Sequence, residues 1–244
     1  MIDPNILYET QFAKDLVTDS TTIAQRLLKA PKDKTPEPTE RDTYIHQVLN
    51  SFSELEAIRE NLDMAEIFLR SYSVSKRWED RYDQNHYFTY HYEMWIMNAV
   101  RFYERLLMLI NSVYCLGIND KDVTFKEISQ HPTLKNTRTL EVLNELHGAL
   151  GSLQEAKNRV FHRYQYNDDK LREVARLNFI ARYSKNKDEV TKLRWIAELK
   201  MKYLYLPEKR EEVTNNNIEL VKAANILLET LGEQYKRHRD SLPN

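Results

Sequence analysis

The chain has 244 residues with a formal net charge of −1; 41% are hydrophobic and 30% charged. That balance belongs to a folding sequence, excludes a disordered one, and gives no global attraction to nucleic acid or membrane. Any contact with a polyanion must therefore come from a local patch.

Four glycines and seven prolines disfavour a sheet built on tight turns and favour long helices. A single cysteine, Cys115, leaves no internal disulfide framework and suits a reducing compartment. The opening MIDPNILYETQFAKD lacks the basic start and apolar core of a signal peptide. No run approaches the roughly 18 apolar residues of a membrane span. The expectation is a soluble, cytoplasmic protein without a membrane partner.

Residues 5–30 read as an amphipathic helix burying Phe12, Leu16, Ile23 and Leu27. Its middle, TDSTT, is rich in poor helix formers and suggests a split into two shorter helices. PKDKTPEPTE, residues 31–40, is a proline-rich, charged linker. Ile45, Val48, Phe52, Leu55, Ile58 and Leu62 then recur at three- and four-residue spacing, which predicts one long helix over 41–72. A helix of that length needs a partner along it, most simply an antiparallel neighbour.

The most apolar segment, about 86–116, covers more than one face with Trp95, Phe102, Leu106, Leu109 and Val113, as a central bundle helix does. Beside that stripe, His91, Asn98 and Arg105 are spaced by sevens and drift only about 20° per step. They form a polar line that marks either the edge of the core or the wall of a groove. Gly117 is the expected C-cap.

A helix over 137–164 carries Leu140, Leu143, Leu146, Leu150 and Leu153. Helical segments follow near 168–184 and 188–205. Pro207 is expected to open a last helix to about 240, with Ile218, Val221, Ile226, Leu227 and Leu231 facing a core. The basic KRHRD at 236–240 matches the dipole of that helix end. No segment reads as a strand. The predicted fold is all-α, an elongated helical bundle of long antiparallel helices. Residues 1–75 form an N-terminal helical region, and 76–244 the bundle proper.

Phosphate-binding glycine loops, HExxH, paired CxxC and nucleophile elbows are all missing from the sequence. His86, His91 and Glu93 do not share a helical face, so HYFTYHYE reads as an aromatic-rich surface without metal, and no cofactor is expected. The chemistry that remains lies in EAKNRVFHRYQYNDD, residues 155–169. On a helix Asn158 and His162 sit about 40° apart, with Arg159 and Arg163 alongside. Lys157 lies about 140° from His162 by the same arithmetic. An imidazole exchanges protons near neutral pH, an amide orients it or holds a phosphate oxygen, and cations stabilise a transferring phosphoryl group. Together they suit metal-free RNA cleavage by a neighbouring 2′-hydroxyl. A solvated cluster with no chemistry is the competing reading.

Lys157-Asn158-Arg159-Val160-Phe161-His162 resembles the signature of the HEPN superfamily: an arginine, often a following Asn, Asp or His, then a histidine after four to six residues. YHYEMWIMNAVRFYERLLMLINSVY resembles the core helix before the motif, and HRYQYNDDKLREV the helix–turn after it. The resemblance covers about 86–240 and is closest to the larger, poorly characterised members. It implies a helical-bundle domain that forms homodimers with facing motif helices, and a metal-independent ribonuclease of the toxin or defence type, with RNA as substrate. Carried over, His162 is the acid/base residue, Asn158 the polar residue after the motif cation, and Lys157 the holder of the arginine position. Arg159, Arg163, Arg105, Asn98 and His91 are the expected RNA contacts. Lysine is a departure, because a point charge does not reproduce the planar fork of arginine. Either Lys157 serves, Arg159 substitutes, or the domain has become a silent module binding a protein, such as an antitoxin, or a nucleic acid. A second copy of the spacing, Arg81 to His86, lies before the core helix instead of after it.

Overall fold

The computed structural model describes residues 7–30, 37–70, 84–149, 151 and 169–243. These residues form helices and connecting turns without a strand, so the all-α expectation is borne out. None of the described helices is long and apolar enough to cross a membrane. In chain order the helices are α1 (Gln11–Lys29), α2 (Glu40–Arg70), α3 (Gln84–Tyr114), α4 (Phe125–Gln130), α5 (Arg138–Ala149), α6 (Asp169–Tyr183), α7 (Lys187–Lys200) and α8 (Leu206–Ser241). Two compact units take up the chain, one from Asn61–Ala99 and Ser152–Asn217, the other from Ile2–Glu60, Val100–Gly151 and Ile218–Asn244.

In the second of these units α1 is one helix, not two. The hydroxyls of Thr18, Ser20 and Thr22 donate to the carbonyls of Lys14, Leu16 and Thr18 at 2.7, 2.7 and 2.9 Å. Bonded to the helix's own carbonyls, they no longer compete with it from outside. Thr10 caps the start, its side chain accepting from Ala13 N–H. Phe12, Leu16 and Ile23 are buried as expected, but Leu27, in the last turn, is 38% exposed. Phe12 meets Phe52 and Tyr235 edge-on, with centroids 5.9 and 5.6 Å apart. The acids of α1 fix α8: Asp15 pairs with Lys236 at 2.7 Å, and Asp19 takes both Arg239 at 2.7 Å and the Tyr235 hydroxyl at 2.8 Å. KRHRD is therefore an ion-pairing segment, more specific than a match to the dipole. Ile226 is 53% exposed, because the buried stripe runs through Leu220, Val221, Ala224, Leu227, Leu228 and Leu231.

α2 begins with a reciprocal capping box: Thr39 N–H donates to Asp42 Oδ2 at 3.0 Å and Asp42 N–H to Thr39 Oγ1 at 3.1 Å. α3 ends one step earlier than the glycine suggests. Cys115 takes the left-handed conformation at φ 50°, and Leu116 N–H returns to Asn111 C=O at 3.1 Å, the long closure of a Schellman end. Gly117, at φ 71°, continues the turn. The Asn111 side chain then clasps the Ile118 backbone on both sides, donating to its C=O at 2.8 Å and accepting from its N–H at 3.2 Å.

In the other unit α6 and α7 form a hairpin, tied by Glu173 to Lys200 at 2.5 Å. From α7 the chain runs through a π turn, Met201–Tyr205, straight into α8. Pro207 therefore does not start a separate segment. It lacks an N–H and crowds the preceding turn, and the widened π turn ahead of it takes up the mismatch. Phe88, Tyr92, Trp95, Tyr205 and Val213 lie at the centre of this unit.

Candidate functional site

Residues 152–168 fall outside the described residues, and with them Lys157, Asn158, Arg159, His162 and Arg163. The described part of the expected site is the polar line on α3. Its three members meet three different surroundings. His91 is half-buried among rings: Phe68 stacks at 4.9 Å, Tyr87 tilts at 4.3 Å and Tyr90 stands edge-on at 5.2 Å. Burial lowers its pKa, so the imidazole is held neutral. Asn98 is buried, 6% exposed. Arg105 donates to Glu54 at 2.6 Å and lies against Met108 Sδ at 3.0 Å.

The unit holding His91 also contains a buried polar network that sequence reasoning passed over. Glu66, 2% exposed, accepts from Arg70 at 2.8 Å, from the Thr214 hydroxyl at 3.0 Å and from Asn217 Nδ2 at 3.0 Å. Asn217, fully buried, accepts in turn from the Trp95 indole N–H at 2.8 Å. Beside it Arg210 donates to the carbonyls of Leu69 and Arg70 at 2.7 and 3.0 Å. A cation there satisfies two of the open acceptors at the C-terminus of α2. Tyr92 donates to Glu212 at 2.6 Å, and Lys209 pairs with that carboxylate at 2.7 Å while lying 5.3 Å from the Tyr92 ring centre. The signal for this network was Asn217 itself, one helical turn from Val213 and from Val221 in an otherwise apolar stripe. Glu66 and Asn217 are thus tied to side chains of α2, α3 and α8, an arrangement that suits a positioning device.

Two further candidates lie in the other unit. A cavity of about 200 Å³ is lined by Asp19, Arg26, Thr39, Arg41 and Asp42 among others. Asp42 is engaged by Arg26 and Thr39, and Asp19 by Arg239 and Tyr235. Burial opposes the charge on Asp42, but the Thr39 N–H and the Arg26 guanidinium outweigh it and lower its pKa. These acids are committed to cations of the fold. Cys115 Sγ lies 3.3 Å from His238 Nε2, yet burial pushes the thiol pKa up, away from the thiolate a nucleophile needs.

What the chain is similar to gives these elements a context. A family model described as Cthe2314-like HEPN matches residues 40–205, from the start of α2 to the end of the π turn, and so spans the 157–162 motif. No curated protein and no solved structure matches the chain. The matched span is more than half of the sequence and corresponds to an all-α bundle, and the chain belongs to the Cthe2314-like HEPN family of the HEPN superfamily.

Proposed function

We propose that the protein is a metal-independent RNA endonuclease acting as a homodimer, of the toxin or defence type. The observation that carries this reading is the single family match that takes in both the core helix α3 and the stretch from Lys157 to His162. His162 accepts the proton of a ribose 2′-hydroxyl, whose oxygen forms a bond to the adjacent phosphorus. The bond from phosphorus to the 5′-oxygen breaks, that oxygen takes a proton from water, and His162 then gives its own proton to the hydroxide left behind. The products are a 2′,3′-cyclic phosphate and a 5′-hydroxyl. Asn158 orients the imidazole or a phosphate oxygen, and Lys157 with Arg159 and Arg163 balances the charge that builds on phosphorus. Arg105 is proposed as a further RNA contact.

The test is incubation of the purified chain with RNA in excess EDTA, with the products resolved by end chemistry. Cutting to cyclic phosphate ends that disappears in His162→Ala is the expected result. Cutting that survives the substitution removes the assignment.

One observation favours a second reading: Lys157 occupies the position of the motif arginine. A silent module that binds a protein or nucleic acid shows no turnover, whatever residue stands at 162. Lys157→Arg separates the two readings, because restoring the bidentate fork raises kcat in a nuclease and creates none in a module that has lost its chemistry.

A further inference from the structure

The hairpin of α6 and α7, with the π turn after it, differs in charge from the chain as a whole. Residues 169–205 hold ten Lys and Arg against five Asp and Glu, in a protein whose net charge is −1. The surface of this segment is also rich in exposed rings. On α6, Arg172, Arg176, Phe179 and Tyr183 fall within about 60° of one another around the helix axis. The opposite side holds the buried Leu171, Val174 and Ala181. Phe179 is 64% and Tyr183 68% exposed, and their ring centres lie 4.8 Å apart. Trp195 on α7 is 59% exposed, and Tyr203, 62% exposed, lies 5.2 Å from Lys202 Nζ. Rings left in water on a basic segment are not explained by packing, which this hairpin completes on its other face.

We infer that this exposed face of the hairpin binds single-stranded RNA, with the α6 arginines on the phosphates and Phe179 and Tyr183 stacking on bases. Stacking needs unpaired bases, since a duplex hides their faces. A second copy of the same face carries the same positive charge and is repelled, whereas a phosphate backbone is its complement. The choice of RNA over single-stranded DNA rests on the ribonuclease reading; the surface itself does not.

The experiment is fluorescence anisotropy with labelled oligouridine of about 15 nucleotides, enough to span a site of this kind. It uses the full chain carrying His162→Ala, so that cleavage does not consume the probe. The expected result is binding that weakens steeply with salt. Phe179→Ala with Tyr183→Ala weakens it by about tenfold or more. Arg172→Gln with Arg176→Gln flattens the salt dependence. Circular dichroism and the urea midpoint stay unchanged, because all four side chains are exposed. Ring variants that bind oligouridine as tightly as their parent overturn the inference. So do ring variants that change the oligomeric mass by light scattering, since the face is then a protein interface. If native chain cuts RNA but the oligouridine does not bind the hairpin, the surface falls and the nuclease reading stands. Binding that depends on the rings, in a chain that never cuts, leaves the surface standing and removes the nuclease.

Discussion

Asn217 shows how much one side chain can hold when its surroundings are dry. It accepts the Trp95 indole N–H and donates to Glu66, and both partners are buried. Asn217→Ala takes the acceptor from a buried indole N–H and one buried donor from the Glu66 carboxylate, which costs about 2–4 kcal/mol. The urea midpoint measures it. Asn217→Asp is expected to be worse, since a second carboxylate meets Glu66. The opposite sign is expected at Thr89, on the same unit's part of α3. Its hydroxyl is buried with no hydrogen-bond partner among the described residues. Thr89→Val keeps the shape, removes the stranded group, and raises stability by about 1 kcal/mol. His91 gives a pH signature. Its folded pKa is lowered by burial, so the unfolded chain binds the proton more tightly. Stability is therefore complete above the unfolded pKa of about 6.5 and declines as pH falls from there to the lower folded value. His91→Phe keeps a ring against Phe68 and Tyr87 and is expected to flatten that decline in urea midpoints taken across the window.

The helix ends carry the next set of consequences. At the start of α2, Thr39→Ala removes the acceptor of the Asp42 N–H and costs about 1 kcal/mol. Asp42 is held ionised below the usual carboxylate range, and its contribution is present above about pH 4 and lost as pH falls through the folded value. Asp42→Asn gives that contribution up at neutral pH, and its urea midpoint drops less on acidification than that of the native chain. At the end of α3, Cys115 accepts a left-handed conformation that costs a side-chain-bearing residue about 1 kcal/mol, and Cys115→Gly is expected to return it. These ends also show where the sequence was legible. Three- and four-residue spacing located α2 and α3 to within two residues at each end, because periodic burial is a property of the whole segment. The ends, and single positions such as Leu27 and Ile226, depended on local facts that spacing does not carry. Serine and threonine reading as breakers in TDSTT instead bond back to their own helix, and Pro207 reading as a start instead follows a π turn. Glu66 and Asn217 were missed because polarity was taken for exposure, whereas here the polar groups satisfy one another inside.

At the scale of the molecule a net charge near zero conceals an uneven distribution, with the α6–α7 hairpin strongly basic. The motif from Lys157 to His162 was legible as residues and spacing, and the family match over 40–205 supports its membership. Spacing alone said nothing of whether one protomer suffices. The proposed homodimer makes that question measurable. If each cleft is built from the motif helices of two facing protomers, a protomer carrying His162→Ala poisons the native protomer it pairs with. Native chain mixed with an equal amount of the variant, and left to exchange, contains about one quarter native homodimers, the statistical share for a symmetric pair. Should both copies of His162 be required, cleavage falls to about that quarter instead of to half, with the total protein held constant. A mixture that loses only half its rate shows that no native protomer is poisoned, because each cuts alone or the protomers do not exchange. Dilution gives the independent check. A composite cleft loses specific activity as protein concentration falls below the dimer's dissociation constant, and a self-contained one does not.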